Sequence, residues 1–384
     1  MTTRHLRVPA ICLLLFVFVS SAIAADQHQL TRVPFETKQQ RSQLLSLGLD
    51  VAQVTDSYLE IVTTSADLEL LRSKGFKPDI VHEALGDFYR SRLDVTKDMG
   101  GYMTLSEIED RIDVAVASYP TIIAPKVSIG QTIEGRDQWA IKISDNPTID
   151  EDEPEVLFTA GIHCREVITP LVLFHFLDHL TDNYGTDPEI TDLVNNREIW
   201  LILAVNPDGY YYNEVTDPTG GGMWRKNRRN NGDGTFGVDL NRNFGYEWGY
   251  DNSGSSNITS SETYRGTGPF SEPEMQNIRD FTIAHEFVIT LYIHSYSNLI
   301  LWPWGYDYVL TPDNDIFSAM GDSMAAFNGY TPGPITSLYV VNGGSDDWHY
   351  GEQTLKNKNI AFSFEVGGSS DGFWPATSRI PQLV

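Results

Sequence analysis

The stretch E-V-L-F-T-A-G-I-H-C-R-E, residues 155–166, decides the fold. Its first eight residues, Glu155 to Ile162, form a short apolar run, the pattern of a strand buried on both faces. Working outward, a helical segment spans Pro170 to Leu180, and a second buried strand follows at Ile199 to Val205. Later come a helix over Glu272 to His285, a strand over Val288 to Ile293, a helix over Ile316 to Phe327 and a strand over Ile360 to Phe364. Buried strands alternating with helices predict an α/β domain over residues 99–384. Its central sheet is mixed, mostly parallel, and flanked by helices on both faces. Ligands of such sheets sit off the carboxyl ends of the strands. Three polar segments fall there: His163-Cys164-Arg165-Glu166, His294-Ser295-Tyr296 and Glu365.

The chain has 384 residues, and 41% hydrophobic with 11% aromatic content excludes disorder. Its 52 acidic and 27 basic residues leave a net charge of -25, which argues against nucleic acid or an anionic membrane as a partner. Residues 1–24 read as a secretory signal: Arg4 and Arg7, the apolar run Ala10 to Val19, then Ala22-Ile23-Ala24 at the cleavage site. A spanning helix needs about 20 apolar residues, so the run predicts export, to the extracellular space or periplasm, with no anchor after signal removal. Cys12 leaves with the signal, and Cys164 is then without a disulfide partner.

Residues 25–98 alternate differently. Strand patterns at Leu30 to Phe35, Tyr58 to Val62 and Asp79 to Val81 are separated by helices over Glu36 to Leu47 and Ala66 to Lys74. That order predicts a small α+β domain, joined by the basic-spotted connector Arg90 to Lys97. A small domain between a signal and a larger domain reads as a propeptide, and its own chain is then a candidate inhibitor of the site. The signal and this segment together carry -1, leaving nearly all the negative charge on residues 99–384.

Zinc catalysis uses about three nitrogen or oxygen ligands and an open fourth position. His163 and Glu166, three apart, can reach one ion, and His294 can supply the third ligand. An H-x-x-E pair alone is weak evidence, and its context carries the weight. That context is N-P-D-G-Y (206–210), M-W-R-K-N-R (223–228), G-V-D-L-N-R-N-F (237–244), S-E-T-Y-R-G (261–266), I-H-S-Y-S (293–297), L-Y-V-V-N-G-G-S-D-D-W (338–348) and F-S-F-E (362–365).

In this order the motifs resemble the zinc metallocarboxypeptidases of the carboxypeptidase A/B type, in particular secreted bacterial members, over residues 100–375. The resemblance implies one zinc per chain, held by His163, Glu166 and His294, with Glu365 as general base toward the attacking water. Arg225 resembles the residue that stabilises the oxyanion. Asn241, Arg242 and Tyr339 resemble a clamp on the terminal carboxylate of a peptide substrate, and Arg165 an auxiliary contact further along it. Asp346 falls at the position resembling the floor of the pocket for the departing side chain, which implies acceptance of Lys or Arg ends. The family also holds a cis bond at Ser295-Tyr296 and a long final helix, of which Ser378 to Val384 is only a beginning.

The alternative within hydrolases is an amidase acting on cell-wall peptides or N-acyl amino acids, against which the intact clamp argues. A catalytically dead binding module requires loss of Glu365 or a ligand, and none is lost. His175 and His179 are expected to be structural, Cys164 a small buried filler, and His349 and His285 ordinary surface or cap residues.

Overall fold

A computed structural model describes residues 27–384; the signal segment read at 1–24 lies outside the described residues. The N-terminal unit is built from β1 (Gln29–Pro34), α1 (Lys38–Leu45), β2 (Asp50–Val54), β3 (Tyr58–Thr63), α2 (Ser65–Ser73) and β4 (Asp79–His82). Its strands form one antiparallel sheet in the order β2-β3-β1-β4, the split arrangement that β-α-β-β-α-β connectivity produces. Both helices start on capping boxes, Thr37 with Gln40 and Thr64 with Asp67, which satisfy amides that would otherwise lack partners. Val33, Leu44, Leu59, Ile61 and Leu71 fill the space between helices and sheet.

The sequence pattern misses β2. Asp50 opens it with a charge, and a register shift between Val51 and Gln53 breaks the alternation that marks a half-buried strand. A short helix, α3 (Leu85–Arg90), then leads into the connector.

The larger unit runs α4 (Leu105–Ser118), β5 (Val127–Gln131), β6 (Asp137–Ile143), β7 (Glu155–Ala160), α5 (Thr169–Asn183), α6 (Pro188–Asn195), β8 (Glu198–Ile202) and α7 (Pro207–Thr216). It continues α8 (Pro273–Ala284), β9 (Phe287–His294), β10 (Leu299–Trp302), α9 (Asn314–Asn328), β11 (Thr331–Pro334), α10 (Ser345–Gly351), β12 (Ile360–Glu365) and α11 (Ile380–Leu383). The eight strands form one sheet, ordered β11-β10-β12-β9-β7-β8-β6-β5. Its centre, β12-β9-β7-β8, is parallel, and antiparallel pairs lie outside it. The mixed, centrally parallel sheet expected from the buried runs is the one found.

Each face carries its own apolar layer. On one, Ile108 and Ile112 of α4 and Leu173, Phe174 and Leu177 of α5 meet Ile141, Ile199 and Leu201 of the sheet. On the other, Met275 and Ile278 of α8 and Trp348 of α10 meet Ala140, Leu157, Ile202 and Tyr292. Each such side chain contributes about 1.5–3 kcal/mol on leaving water, so two covered faces explain why the central strands carry no solvent-side alternation. Ile380, Leu383 and Val384, at and beside α11, pack on the first layer.

Strand register positions the site. β9 and β12 run parallel with Glu365 opposite His294, and β7 pairs with β9 with Ala160 opposite Ile293. The three strands therefore end at one level. The chain leaves β7 through Gly161, whose φ of 68° suits glycine, and delivers His163 above the sheet edge. The Ser295-Tyr296 bond is cis, as the motif implies, and Pro303-Trp304 is cis as well.

Candidate functional site

All ten residues singled out from the sequence line a single cleft at the carboxyl ends of β7, β9 and β12. His163, Glu166 and His294 are each buried and converge there. His163 Nδ1 lies 2.8 Å from Glu166 Oε1, His294 Nδ1 lies 3.1 Å from Glu166 Oε2, and the two Nδ1 atoms are 3.2 Å apart. Ligands held at about 2.0–2.2 Å from one tetrahedral zinc stand about 3.3 Å from each other, so this spacing fits zinc. The donor chemistry fits as well: two imidazole nitrogens and one carboxylate. Burial works against the Glu166 carboxylate, but the two imidazoles outweigh it and hold its carboxyl well below the usual range.

One partner of this set was not identified from the sequence. Asp239 lies in the quoted stretch G-V-D-L-N-R-N-F, yet nothing in its local pattern separates it from a turn aspartate. It is fully buried, and its Oδ1 lies 3.1 Å from His163 Nε2. Its Oδ2 accepts from Arg225 Nη2 at 2.9 Å. A carboxylate on the far nitrogen of a ligating histidine orients the ring and fixes which nitrogen faces the metal. Burial would raise the Asp239 carboxyl, but Arg225, Arg242 and His163 together hold it well below its ordinary value.

The other groups surround the donors. Desolvation pushes the Glu365 carboxyl up, and the nearby Glu166 carboxylate adds to the effect. A raised carboxyl beside a metal-type donor set is equipped to take up and release a proton. Arg225 Nη1 stands 4.0 Å from Glu166, close enough to act on charge developing at the cluster. Arg242 is buried, donates through Nη1 to the Asn241 carbonyl at 2.8 Å, and has no partner on its buried Nε. Asn241 accepts from the Ser345 amide at 2.9 Å, which ties this segment to the start of α10.

Asp346 sits in the first turn of α10, buried, with Oδ2 accepting from Ser363 of β12 at 2.7 Å and Oδ1 unpartnered. Burial pushes its carboxyl up to about 6. Leu301, Ile335 and Val341 form the apolar wall of the same cleft. The residue does not face solvent or cap a turn.

The N-terminal unit closes the cleft. Val51 and Ala52 of β2 line it directly. Asp50 takes both arms of the Arg165 guanidinium, Nη1 to Oδ2 at 2.6 Å and Nη2 to Oδ1 at 2.8 Å, and the Arg165 guanidinium stacks 4.0 Å over the Phe373 ring. Tyr339, Val51 and Val54 pack against the N-terminal core, and Tyr339 and Val54 also pack against the cluster of Leu301, Ile335, Leu338 and Val341, so Tyr339 belongs to both the N-terminal core and the cleft wall. Arg41 of α1 donates to the Ser337 and Leu338 carbonyls at 3.2 and 3.1 Å. This roof explains why β2 was unreadable alone: its buried charge is satisfied by a residue more than a hundred positions away.

The remaining candidates take structural places. His175 and His179 are exposed on α5. Cys164 is fully buried and its thiol donates to the Trp224 carbonyl at 2.9 Å. His285 caps α8 and meets Glu155. His349 corrects the surface expectation: it is fully buried, its Nε2 3.1 Å from the Tyr292 hydroxyl, because α10 packs flat on the sheet.

Comparison with known proteins agrees with this geometry. A family described as zinc carboxypeptidase matches residues 108–384. A zinc carboxypeptidase of Saccharothrix mutabilis subsp. capreolus is 33% identical, covering 94% of this chain and 86% of that protein. Carboxypeptidase A1 of Sus scrofa is 35% identical over 76% of this chain and 69% of its own length. Among solved structures, carboxypeptidase A from Helicoverpa armigera superposes with a TM-score of 0.78 at 26% identity, covering 93% of this chain and 94% of that one. Thrombin activatable fibrinolysis inhibitor gives 0.74, also at 26% identity, with 93% and 95% covered.

Proposed function

The chain belongs to the zinc carboxypeptidase family, and on that premise we propose that it is an exported precursor of an exopeptidase that removes single C-terminal Lys or Arg residues. His163, Glu166 and His294 are the residues that would hold zinc, which supplies a Lewis acid for the scissile carbonyl and the attacking water when bound. Glu365 takes the proton from the water on its carboxylate and returns it to the departing amine. Its raised carboxyl suits both halves of that transfer. Arg225, held against Asp239, presents fixed positive charge to the oxyanion that develops at the carbonyl.

The observation that carries the exopeptidase reading is Arg242. A buried guanidinium with a free Nε, in the same cleft as the metal donors, matches a terminal carboxylate, and the carboxylate paired with it, Asp239, stands off at 3.8 Å from Nη1. Asn241 and Tyr339 complete the clamp. Asp346, with its unpartnered oxygen, supports selection of a basic end, because an apolar side chain would leave that carboxylate buried and unpaired.

The N-terminal unit acts as the propeptide. Asp50 on Arg165, with Val51 and Ala52 along the cleft wall, holds β2 where a substrate must lie. The signal-like N-terminus supports export. Among the described residues no helix is long and apolar enough to cross a membrane.

The test is an assay on peptides ending in Lys, Arg, Phe or Leu, with the intact chain and with the chain cut in its connector. One residue is released per cycle, Lys and Arg foremost, only after cutting, and a chelator abolishes it. Equal hydrolysis of C-terminally amidated peptides would refute the clamp.

A further inference from the structure

We propose that the connector is cut between Lys97 and Asp98, by an endoprotease that accepts lysine, and that Arg90 and Arg92 are not the cleavage points. The proposal rests on the precursor reading above, but it concerns which bond opens, and that can be measured separately from activity.

A protease takes several residues in extended form and draws the side chain before the scissile bond into a pocket, so the segment must first leave the protein surface. Arg90 is the last residue of α3 and cannot do so cheaply. Its Nε donates to the Gly220 carbonyl at 3.2 Å and its Nη2 to Asp217 at 2.9 Å, with Asp87 on the other arm. The preceding Tyr89 is buried, and its hydroxyl accepts from the Phe373 amide at 3.3 Å. Within the same helix, Gly86 lies so near Gly221 that an added Cβ would stand 2.9 Å from its carbonyl oxygen.

Arg92 is held more tightly still. Its guanidinium donates to the carbonyls of Ser370, Asp371 and Trp374 at 2.6, 2.8 and 2.9 Å, and lies 4.5 Å over the Phe88 ring. Hydrogen bonds from a charged donor are the expensive ones to surrender, and three of them must break before this arginine can enter a pocket.

The turn from Asp94 to Lys97 is different. Residues 94–98 are exposed, and the Lys97 side chain is 68% exposed. Its ammonium has one ion-pair partner, Asp94 of the same turn, at 3.9 Å. The Thr96 amide and hydroxyl and the Lys97 amide bond only to Asp94, and the turn closes on Gly100. On the far side, Met99 is buried and its amide donates to the Pro218 carbonyl at 2.7 Å. Opening at Lys97 therefore gives up local bonds and the anchorage of Met99, and spares the docked arginines. Cleavage that follows the open population then favours Lys97 over either arginine by about 10²-fold.

The experiment treats the folded, full-length chain with a lysine-specific or an arginine-specific endoprotease under native conditions, reading fragments by intact mass and N-terminal sequence. The lysine-specific enzyme yields a fragment beginning at Asp98, and the arginine-specific enzyme cuts at the connector about 10²-fold more slowly. K97Q abolishes the first cut, and K97R transfers it to the arginine-specific enzyme. Cutting after Arg90 or Arg92 at the rate seen for Lys97, or undiminished connector cleavage of K97Q, overturns the proposal. Cleavage at Lys97 with no gain in peptide hydrolysis would support the cut site and overturn the precursor reading.

Discussion

Replacing Asp50 with alanine isolates the contact that closes the cleft. The Asp50–Arg165 pair is two-armed, at 2.6 and 2.8 Å, and its side chains are 5% and 1% exposed, so water screens it little. Removing one member of a buried pair costs about 3–5 kcal/mol, because the surviving charge stays buried without a partner. In the undocked state Arg165 regains water, so the whole penalty falls on the docked state. At the low end, about 3 kcal/mol, the open population rises about 10²-fold. The apolar packing of Val54 and Tyr339 on the cluster of Leu301, Ile335, Leu338 and Val341 remains and keeps most molecules closed. The assay is hydrolysis of a Lys-ending peptide by uncut D50A, with integrity checked by mass. Turnover about 10²-fold above uncut wild type is expected, and equal turnover after cutting. Uncut D50A no more active than wild type, with the cut form fully active, would refute the pair as the closing element.

The same contact sets a pH dependence. Burial raises the docked Asp50 carboxyl, but the Arg165 guanidinium outweighs it and leaves the value below that of a free aspartate. A group lowered in the docked state stabilises docking above its free value, about 3.9, and loses that contribution as pH falls toward the docked value. Hydrogen exchange over residues 50–54, corrected for intrinsic rates, should be flat above about pH 5 and accelerate below about pH 4.

Three further substitutions probe the cleft. In the cut enzyme, Glu365→Gln should retain zinc by metal analysis and lose turnover by about 10²–10⁴-fold, the usual weight of a positioned acid–base. Asp346→Ile should lower the kcat/KM ratio of Lys-ending over Phe-ending peptides by about 10²-fold, since a buried charge partner is exchanged for an apolar surface. In the wild type, with this carboxyl at about 6, that ratio should fall between pH 7 and 5 as protonation removes its charge, and the slope should vanish in the variant. Asp239→Ala should weaken zinc about 10–100-fold in competition with a chelator while leaving the three ligands in place.

The legible part of this molecule is the part governed by local pattern. Buried runs such as E-V-L-F-T-A-G-I announce parallel strands because both faces must be covered, and polar residues directly after such runs fall at strand ends whatever the loops do. His163, Glu166, His294 and Glu365 fell in such segments for that reason, their roles came from the resemblance of the motifs to a family, and the register of β7, β9 and β12 brings them together. Asp239 was not, because its role consists of contacts with His163 and Arg225, and neither contact leaves a periodicity behind. His349 read as surface for the same reason: its neighbours are set by how α10 lies on the sheet, not by the residues beside it.

Composition and order by themselves determined a two-part chain and a mixed sheet with covered faces, and the resemblance of its motifs to a family supplied the metal-type donor set at the sheet edge. Only the tertiary structure decided how the parts meet. Asp50 reads as a charge that spoils a strand, and becomes the buried partner of Arg165; Arg90, Arg92 and Lys97 read alike as basic spots in a connector, and the two arginines become anchors while Lys97 stays exposed in its turn. In each case the free energy of a charged side chain depends on the partner and the water around it. Both are fixed by residues far away in the chain.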